Sequence, residues 1–196
     1  MSETAPRRAD VRVGSSTDAL TPIAGAHRSL AARAQQWAGL SAIAIAALVA
    51  DQLTKHIVSS NLSLDAERHV VGPLSIHHVQ NSGIAFGLFA SATPIVTALT
   101  AVAVGWMLFF FARSGARHPI LPIALGLLIG GSASNLIDRI RLGHVTDFID
   151  LRFWPAFNLA DSFIVLGVLV LLAALLLPQR THAQPRPVPD VSPPRS

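Results

Sequence analysis

The sequence predicts an all-α membrane protein, with four transmembrane helices and a small extracytoplasmic β-sheet subdomain between helices 1 and 2. Three observations lead there. Of 196 residues, 51% are hydrophobic and only 13% are charged, giving a mean hydropathy of +0.50. The apolar residues gather into four long runs instead of recurring periodically around a soluble core. Between the first two runs lies a mixed segment whose β-branched residues are broken by a Gly-Pro pair.

A hydrocarbon core about 30 Å thick is crossed by about 20 residues of helix. Lipid offers no partner to an unpaired backbone amide, so each crossing run must be helical. The runs fall at about 37–58, 94–112, 119–137 and 157–177, within a membrane domain covering 36–178. The segment at about 60–91 is too long for a tight turn and too mixed to span. In it, Val70-Val71-Gly72-Pro73-Leu74-Ser75-Ile76 reads as two short strands around a turn. His77 and His78 follow, but adjacent strand residues point to opposite faces and cannot readily chelate one ion. Asn81-Ser82-Gly83-Ile84-Ala85-Phe86 comes next, with small residues that permit close backbone approach. An ordinary re-entrant loop with Asn81 capping a helix and a functional site both fit this spacing.

Residues 1–35 and 179–196 read as disordered tails, the second rich in Pro, because neither composition can bury a core. Four helices put both tails on one side. Near the membrane, six Lys or Arg side chains accompany the tails and the loop between helices 2 and 3, against five on the opposite side. Arg139 and Arg141 of the second group sit beside Asp138, whereas Arg113 and Arg117 have no acidic neighbour. The balance places both termini in the cytoplasm. A cleaved signal peptide is the competing reading of the first run. Leu48 disfavours a cut after Ala50, and Asp51 and Lys55 at i,i+4 continue a helix face. The chain has no Cys, which excludes disulfides, thiol catalysis and Cys-ligated metal.

The charges that remain are informative. Asp147 and Asp161 stand fourteen residues apart, where one apolar run ends and the next begins. Asn135 and Asp138 lie three apart at the end of the third run, and Asn158 and Asp161 repeat that spacing at the start of the fourth. Each pair shares a helix face, and small residues 130–134 let another helix approach closely. Two Asn/Asp faces should therefore meet at one membrane surface, with Asp147 on the connecting loop. Plainer roles exist for several of these groups: Asp138 as an ion-pair partner of Arg139 or Arg141, Asp51 paired with Lys55, Asn158 as an N-cap, and Asp150 on the surface. They leave Asp147 unexplained. Two adjacent carboxylates cannot both ionise easily, so they share a proton; one can then activate water while the other polarises a carbonyl. A cation transporter is the alternative, but the charges cluster at one side and no repeat is evident. A shared proton titrates as a property of the pair, so the sequence leaves the acid and base roles open; a helix N-terminus favours ionised Asp161 and leans toward Asp147 as the acid.

The blocks Asp51-Gln52-Leu53-Thr54-Lys55, Asn81 to Phe86, Gly130 to Arg139, Gly143 to Phe148 and Phe157 to Ser162 resemble, in this order, the bacterial lipoprotein signal peptidases, or signal peptidase II. The resemblance implies Asp147 and Asp161 as the catalytic aspartates. It implies Asp51, Asn81, Gly83, Asn135, Asp138, Arg139 and Asn158 as residues that support or line the site. Ser134 and Ile84 depart from the family, which usually has Gly and Ala there. The implied substrates are diacylated prolipoproteins, cleaved before the lipidated cysteine at a surface shared with membrane lipids. Water is the nucleophile, so no metal or organic cofactor is expected. No nucleic acid partner is expected either, and the chain should act as a monomer.

Overall fold

In a computed structural model of the chain, the described residues are 21–83, 93–114 and 120–176. The expected tails lie outside them apart from 21–35, 176 being the last described residue; so do Ile84 and Phe86. Four long helices are present: α1 (Thr21–Asn61), α2 (Thr93–Ser114), α3 (Leu121–Leu142) and α4 (Leu159–Leu176). Each contains a stretch long and apolar enough to cross a membrane. Two boundaries differ from expectation. α1 begins at Thr21, inside the stretch read as a tail, with Pro22 at a helix-starting position and good helix formers through Gln36. α3 runs to Leu142, because Gly143 takes a left-handed φ of 78° and its amide closes the last turn on the Arg139 carbonyl.

α3 is the central helix, packed against α1, α4 and α2, and it is the most buried of the four. Its small residues make this possible. A Cβ on Gly130 would lie 2.5 Å from the Ala44 carbonyl oxygen of α1, and one on Gly131 would lie 2.5 Å from the Ala160 oxygen of α4. Both neighbours are backbone, so the two glycines set the helix separations.

The polypeptide is sorted along the bundle axis. The end bearing the α2 C-terminus holds an apolar cluster of Leu40, Phe111, Leu125, Leu128 and Ile129. There Trp37 packs edge-on to Phe111 with ring centroids 4.8 Å apart, and Arg33 donates to the Ala112 carbonyl at 2.7 Å. The opposite end carries a three-stranded antiparallel sheet in the order β1 (Glu67–Val71), β2 (Leu74–Asn81), β3 (Val145–Asp150). Gly72, at φ 55°, turns β1 into β2. β1 and β2 lie between α1 and α2 as expected. The third strand corrects the sequence reading, which put Asp147 on a loop: Val145-Thr146-Asp147-Phe148 pairs with β2, Val79 opposite Asp147 and Asn81 opposite Val145. All four of these β3 residues are buried, so both faces of the strand are covered and no polar alternation marks it.

Candidate active site

The polar residues expected to matter converge where β3 meets the C-terminal half of α3 and the first turn of α4. Asn158 is the N-cap of α4. Its side-chain oxygen accepts the Asp161 amide at 3.0 Å, while its own amide donates to Asp161 Oδ2 at 3.3 Å. This is a reciprocal capping box with Asp in place of Glu. The Asn158 side-chain Nδ2 is left to donate elsewhere, to Asp147 Oδ1 at 2.7 Å and to Asn135 Oδ1 at 3.1 Å. Asn135 in turn donates to Asp161 Oδ1 at 2.8 Å. From β2, Asn81 donates to Asp147 Oδ2 at 2.9 Å, and its own oxygen accepts the Gly83 amide at 3.0 Å. Arg139 Nη2 donates to the Gly83 carbonyl at 3.3 Å. Both aspartates therefore face a set of amide donors, and one residue, Asn158, bonds to both.

Asp147 is 2% exposed. Burial pushes its carboxyl up to about 6, against the pull of the Asn81 and Asn158 amides, and the nearby Asp161 charge adds to the rise. Asp150, three residues along the same strand, shows the opposite behaviour. The Arg152 backbone amide, with a further contribution from His77, holds it below the usual carboxylate range. It pairs with His77 at 3.2 Å, away from the dyad. His78 is buried and faces the Leu62 carbonyl through Nδ1 at 2.9 Å.

Beneath the aspartates lies a second polar layer that sequence reasoning only partly found. Asp51 is fully buried. Its Oδ1 accepts the Ala160 amide at 2.8 Å, so a side chain of α1 caps α4, meeting both an orphan amide and the positive end of the helix dipole. Its Oδ2 meets Lys55 Nζ at 2.7 Å, the expected i,i+4 pair, and also accepts the Ser134 hydroxyl at 2.7 Å. Asp138 does not pair with Arg139 or Arg141. Its position on α3 turns it toward α1, where Lys55 Nζ lies 2.8 Å from Oδ2 and Gln52 donates to Oδ1 at 2.7 Å. Gln52 also donates to the Ser134 hydroxyl at 3.0 Å. Lys55, Gln52 and Ser134 were not singled out from the sequence as site residues. The i,i+4 face of α1 was the available signal, and what it faced was not.

The dyad opens into a groove of about 700 Å³. Asn81, Asp147 and Asp161 line one end. From there Val165 and Leu169 continue the Asp161 face of α4 at i,i+4 spacing, with Leu166 beside them, and Phe153 and Trp154 also line the groove. The ridge from Asp161 to Leu169 descends about 12 Å along the helix. Phe153 and Trp154 are 76% and 55% exposed, an aromatic rim suited to a membrane–water interface. A polar end with two carboxylates and a long apolar trough suit a molecule with both a polar backbone and a hydrocarbon part.

The chain is similar to known proteins in sequence and in fold. A family model described as signal peptidase II (Peptidase_A8) matches residues 43–177. The chain is 40% identical to a lipoprotein signal peptidase of Moorella thermoacetica over 137 residues, covering 69% of this chain and 91% of that protein. It is 39% identical to one of Symbiobacterium thermophilum over 144 residues, covering 70% and 94%. A bacterial membrane enzyme solved by the in meso method at 1.9 Å resolution is similar in fold, with a TM-score of 0.63, 30% identity, and coverage of 71% of this chain and 92% of that one. The chain belongs to the signal peptidase II family, the aspartic peptidases that remove signal peptides from prolipoproteins.

Proposed function

We propose that Asp147 and Asp161 are the catalytic pair, and that they cleave diacylglyceryl-modified prolipoproteins immediately before the lipidated cysteine. The observation that carries this reading is that Asn158 bonds to both carboxylates at the head of an apolar groove. Asp161 sits in the first turn of α4, at the positive end of the helix dipole, and in this reading it removes the proton from water. Asp147, held up by burial, keeps the shared proton and donates it to the scissile carbonyl oxygen. The water oxygen bonds to the carbonyl carbon, giving a gem-diol intermediate; as its C–N bond breaks, Asp161 passes the acquired proton to the departing amine and Asp147 takes one back from a gem-diol hydroxyl. Asn81, Asn135 and Asn158 hold the two carboxylates, and Asp51, Asp138, Arg139 and Gly83 hold the elements that carry them.

In this reading the sheet end of the bundle is extracytoplasmic and both termini are cytoplasmic, in keeping with the balance of Lys and Arg near the helix ends. A monomer suffices for this reading, because Asp147, Asp161 and the amides that hold them are all supplied by a single chain. The test is cleavage by the purified enzyme of one prolipoprotein presented with and without the diacylglyceryl group. The lipidated form should be cut before its cysteine and the unlipidated form left intact. Equal cleavage of both would remove the lipid from the reading while leaving the peptidase assignment in place.

A further inference from the structure

Lys55 is 5% exposed, and its ammonium meets three acceptors: Asp51 Oδ2 at 2.7 Å, Asp138 Oδ2 at 2.8 Å and Asn135 Oδ1 at 2.8 Å. A lysine has three N–H donors and no acceptor. One carboxylate neutralises its charge and two are present, yet its hydrogen bond goes to an uncharged amide that is itself bonded to Asp161.

That amide has two ends of nearly the same shape, and only one orientation serves the dyad. With Oδ1 toward Lys55, Nδ2 faces Asp161 as a donor. Reversed, an amide N–H₂ would confront the donor-only ammonium and an oxygen would confront the Asp161 carboxylate. Asn158 Nδ2 also reaches Asn135 Oδ1, but at 3.1 Å it is the longer of the two restraints. On its other side Lys55 holds Asp51, whose second oxygen binds the Ala160 amide next to Asp161.

We propose that Lys55 is a positioning residue of the dyad, fixing the Asn135 amide so that Asp161 meets a donor and drawing Asp51 into the bond that seats the first turn of α4. The charged and titratable groups around it are Asp51 and His56 on its own helix, Asp138 and Arg141 on α3, Asp161 on α4 and Asp147 on β3. Its charge also opposes the upward push of burial on Asp147. Behind it, a polar cleft of about 150 Å³ between α1, α3 and β3 is lined by Gln52, His56, Asp138, Arg141 and Thr146. That cleft has room for water against the ammonium.

The inference rests on the assignment of Asp147 and Asp161 as the catalytic pair. It is tested on the purified full chain with a diacylated prolipoprotein, measuring kcat, KM and the pH profile, with thermal melting as the check on folding. Lys55→Met should lower kcat about 10²-fold, as expected for a misplaced reacting group, with KM nearly unchanged. The alkaline limb of kcat should move to higher pH, because a cation that favours ionised Asp147 is gone. Lys55→Met/Asp138→Asn removes a cation and an anion together, limiting the loss of stability, and should show the same two changes. Lys55→Arg keeps the charge and the donors; it should fold, hold the limb at the wild-type pH and recover most of kcat. Wild-type kcat and profile in a folded Met variant, or a displaced limb in Lys55→Arg, would overturn the proposal. If Asp161→Asn abolishes cleavage while the Lys55 variants turn over normally, this inference fails alone; if Asp161→Asn cleaves normally, the dyad assignment fails.

Discussion

Asn158 and Asp161 cap each other across the first turn of α4, side-chain oxygen to amide at 3.0 Å and amide to carboxylate at 3.3 Å. The capping leaves the Asn158 Nδ2 free for Asp147, 2.7 Å away. A local rule of helix initiation thus fixes the relation between two groups on different elements.

Replacing Asn158 tests that double duty. Asn158→Ala loses the cap, at about 1 kcal/mol of stability, and also loses the donor shared by Asp147 and Asn135. Activity should fall far more than stability. Asn158→Asp keeps a capping oxygen but brings a third carboxylate against the pair and removes the Nδ2 donor. It should stay folded and cleave no prolipoprotein. Melting in detergent and cleavage of a lipidated substrate, measured on the same samples, separate the two losses. A cut in activity no larger than the cut in folded protein would leave Asn158 as a cap alone.

The Asp147 environment predicts a pH dependence of stability. Its carboxyl rises from the ordinary 3.8 to about 6 in the folded chain. Between those values the folded state binds more protons than the unfolded one. Stability should therefore fall as pH rises through this window, by about 3 kcal/mol in all, and level off above it. Asp147→Asn removes this contribution. Thermal midpoints recorded from pH 4 to 8 should show a shallower decline in that variant; the same decline in both proteins would discard the burial explanation.

Gly131 carries the close approach of α3 and α4. In Gly131→Ala, the new Cβ would meet the Ala160 carbonyl oxygen at 2.5 Å, a backbone atom one residue from Asp161. Overpacking of this kind costs about 1–3 kcal/mol, and the displaced turn carries the Asp161 carboxylate with it. A lower melting temperature together with a reduced kcat in the fraction that folds is expected. Wild-type kcat in folded Gly131→Ala would show that the turn tolerates the shift.

Ser134 is fully buried, and its hydroxyl links Gln52 of α1 to Asp51 Oδ2. Ser134→Gly removes both bonds and leaves Gln52 with one fewer acceptor. Each buried group left short costs about 1–3 kcal/mol. A melting temperature lowered by several degrees, with cleavage largely retained, is the expected result. An unchanged melt would mean that water or repacking replaces the hydroxyl fully.

Much of this arrangement could be read from the sequence, and the parts that could not have physical reasons. The four apolar runs are legible because lipid forces backbone bonds to close within each helix. The i,i+3 spacings of Asn135 with Asp138 and of Asn158 with Asp161 follow from helix geometry alone; Asn135 does meet Asn158 and Asp161, while Asp138 turns to α1. β3 was missed because both its faces are buried, which removes the alternation that marks a half-buried strand. Its content of Val, Thr, Phe and Ile was the remaining signal. The Asp138 pairing was misread because a neighbour in sequence looked closer than a lysine on another helix. Similarly, the cap that Asp51 gives Ala160 joins residues 109 apart, and no local pattern announces it.

The central claim is that Asp147 and Asp161 act together as the catalytic pair. The most direct measurement is the fate of diacylglyceryl-modified prolipoprotein in cells depleted of their own lipoprotein signal peptidase and supplied with this chain, with Asp147→Asn or with Asp161→Asn. The account predicts that the wild-type chain restores processing. Each variant should insert in the membrane at a similar level yet let the diacylated precursor accumulate. Normal maturation in cells carrying either variant would contradict it.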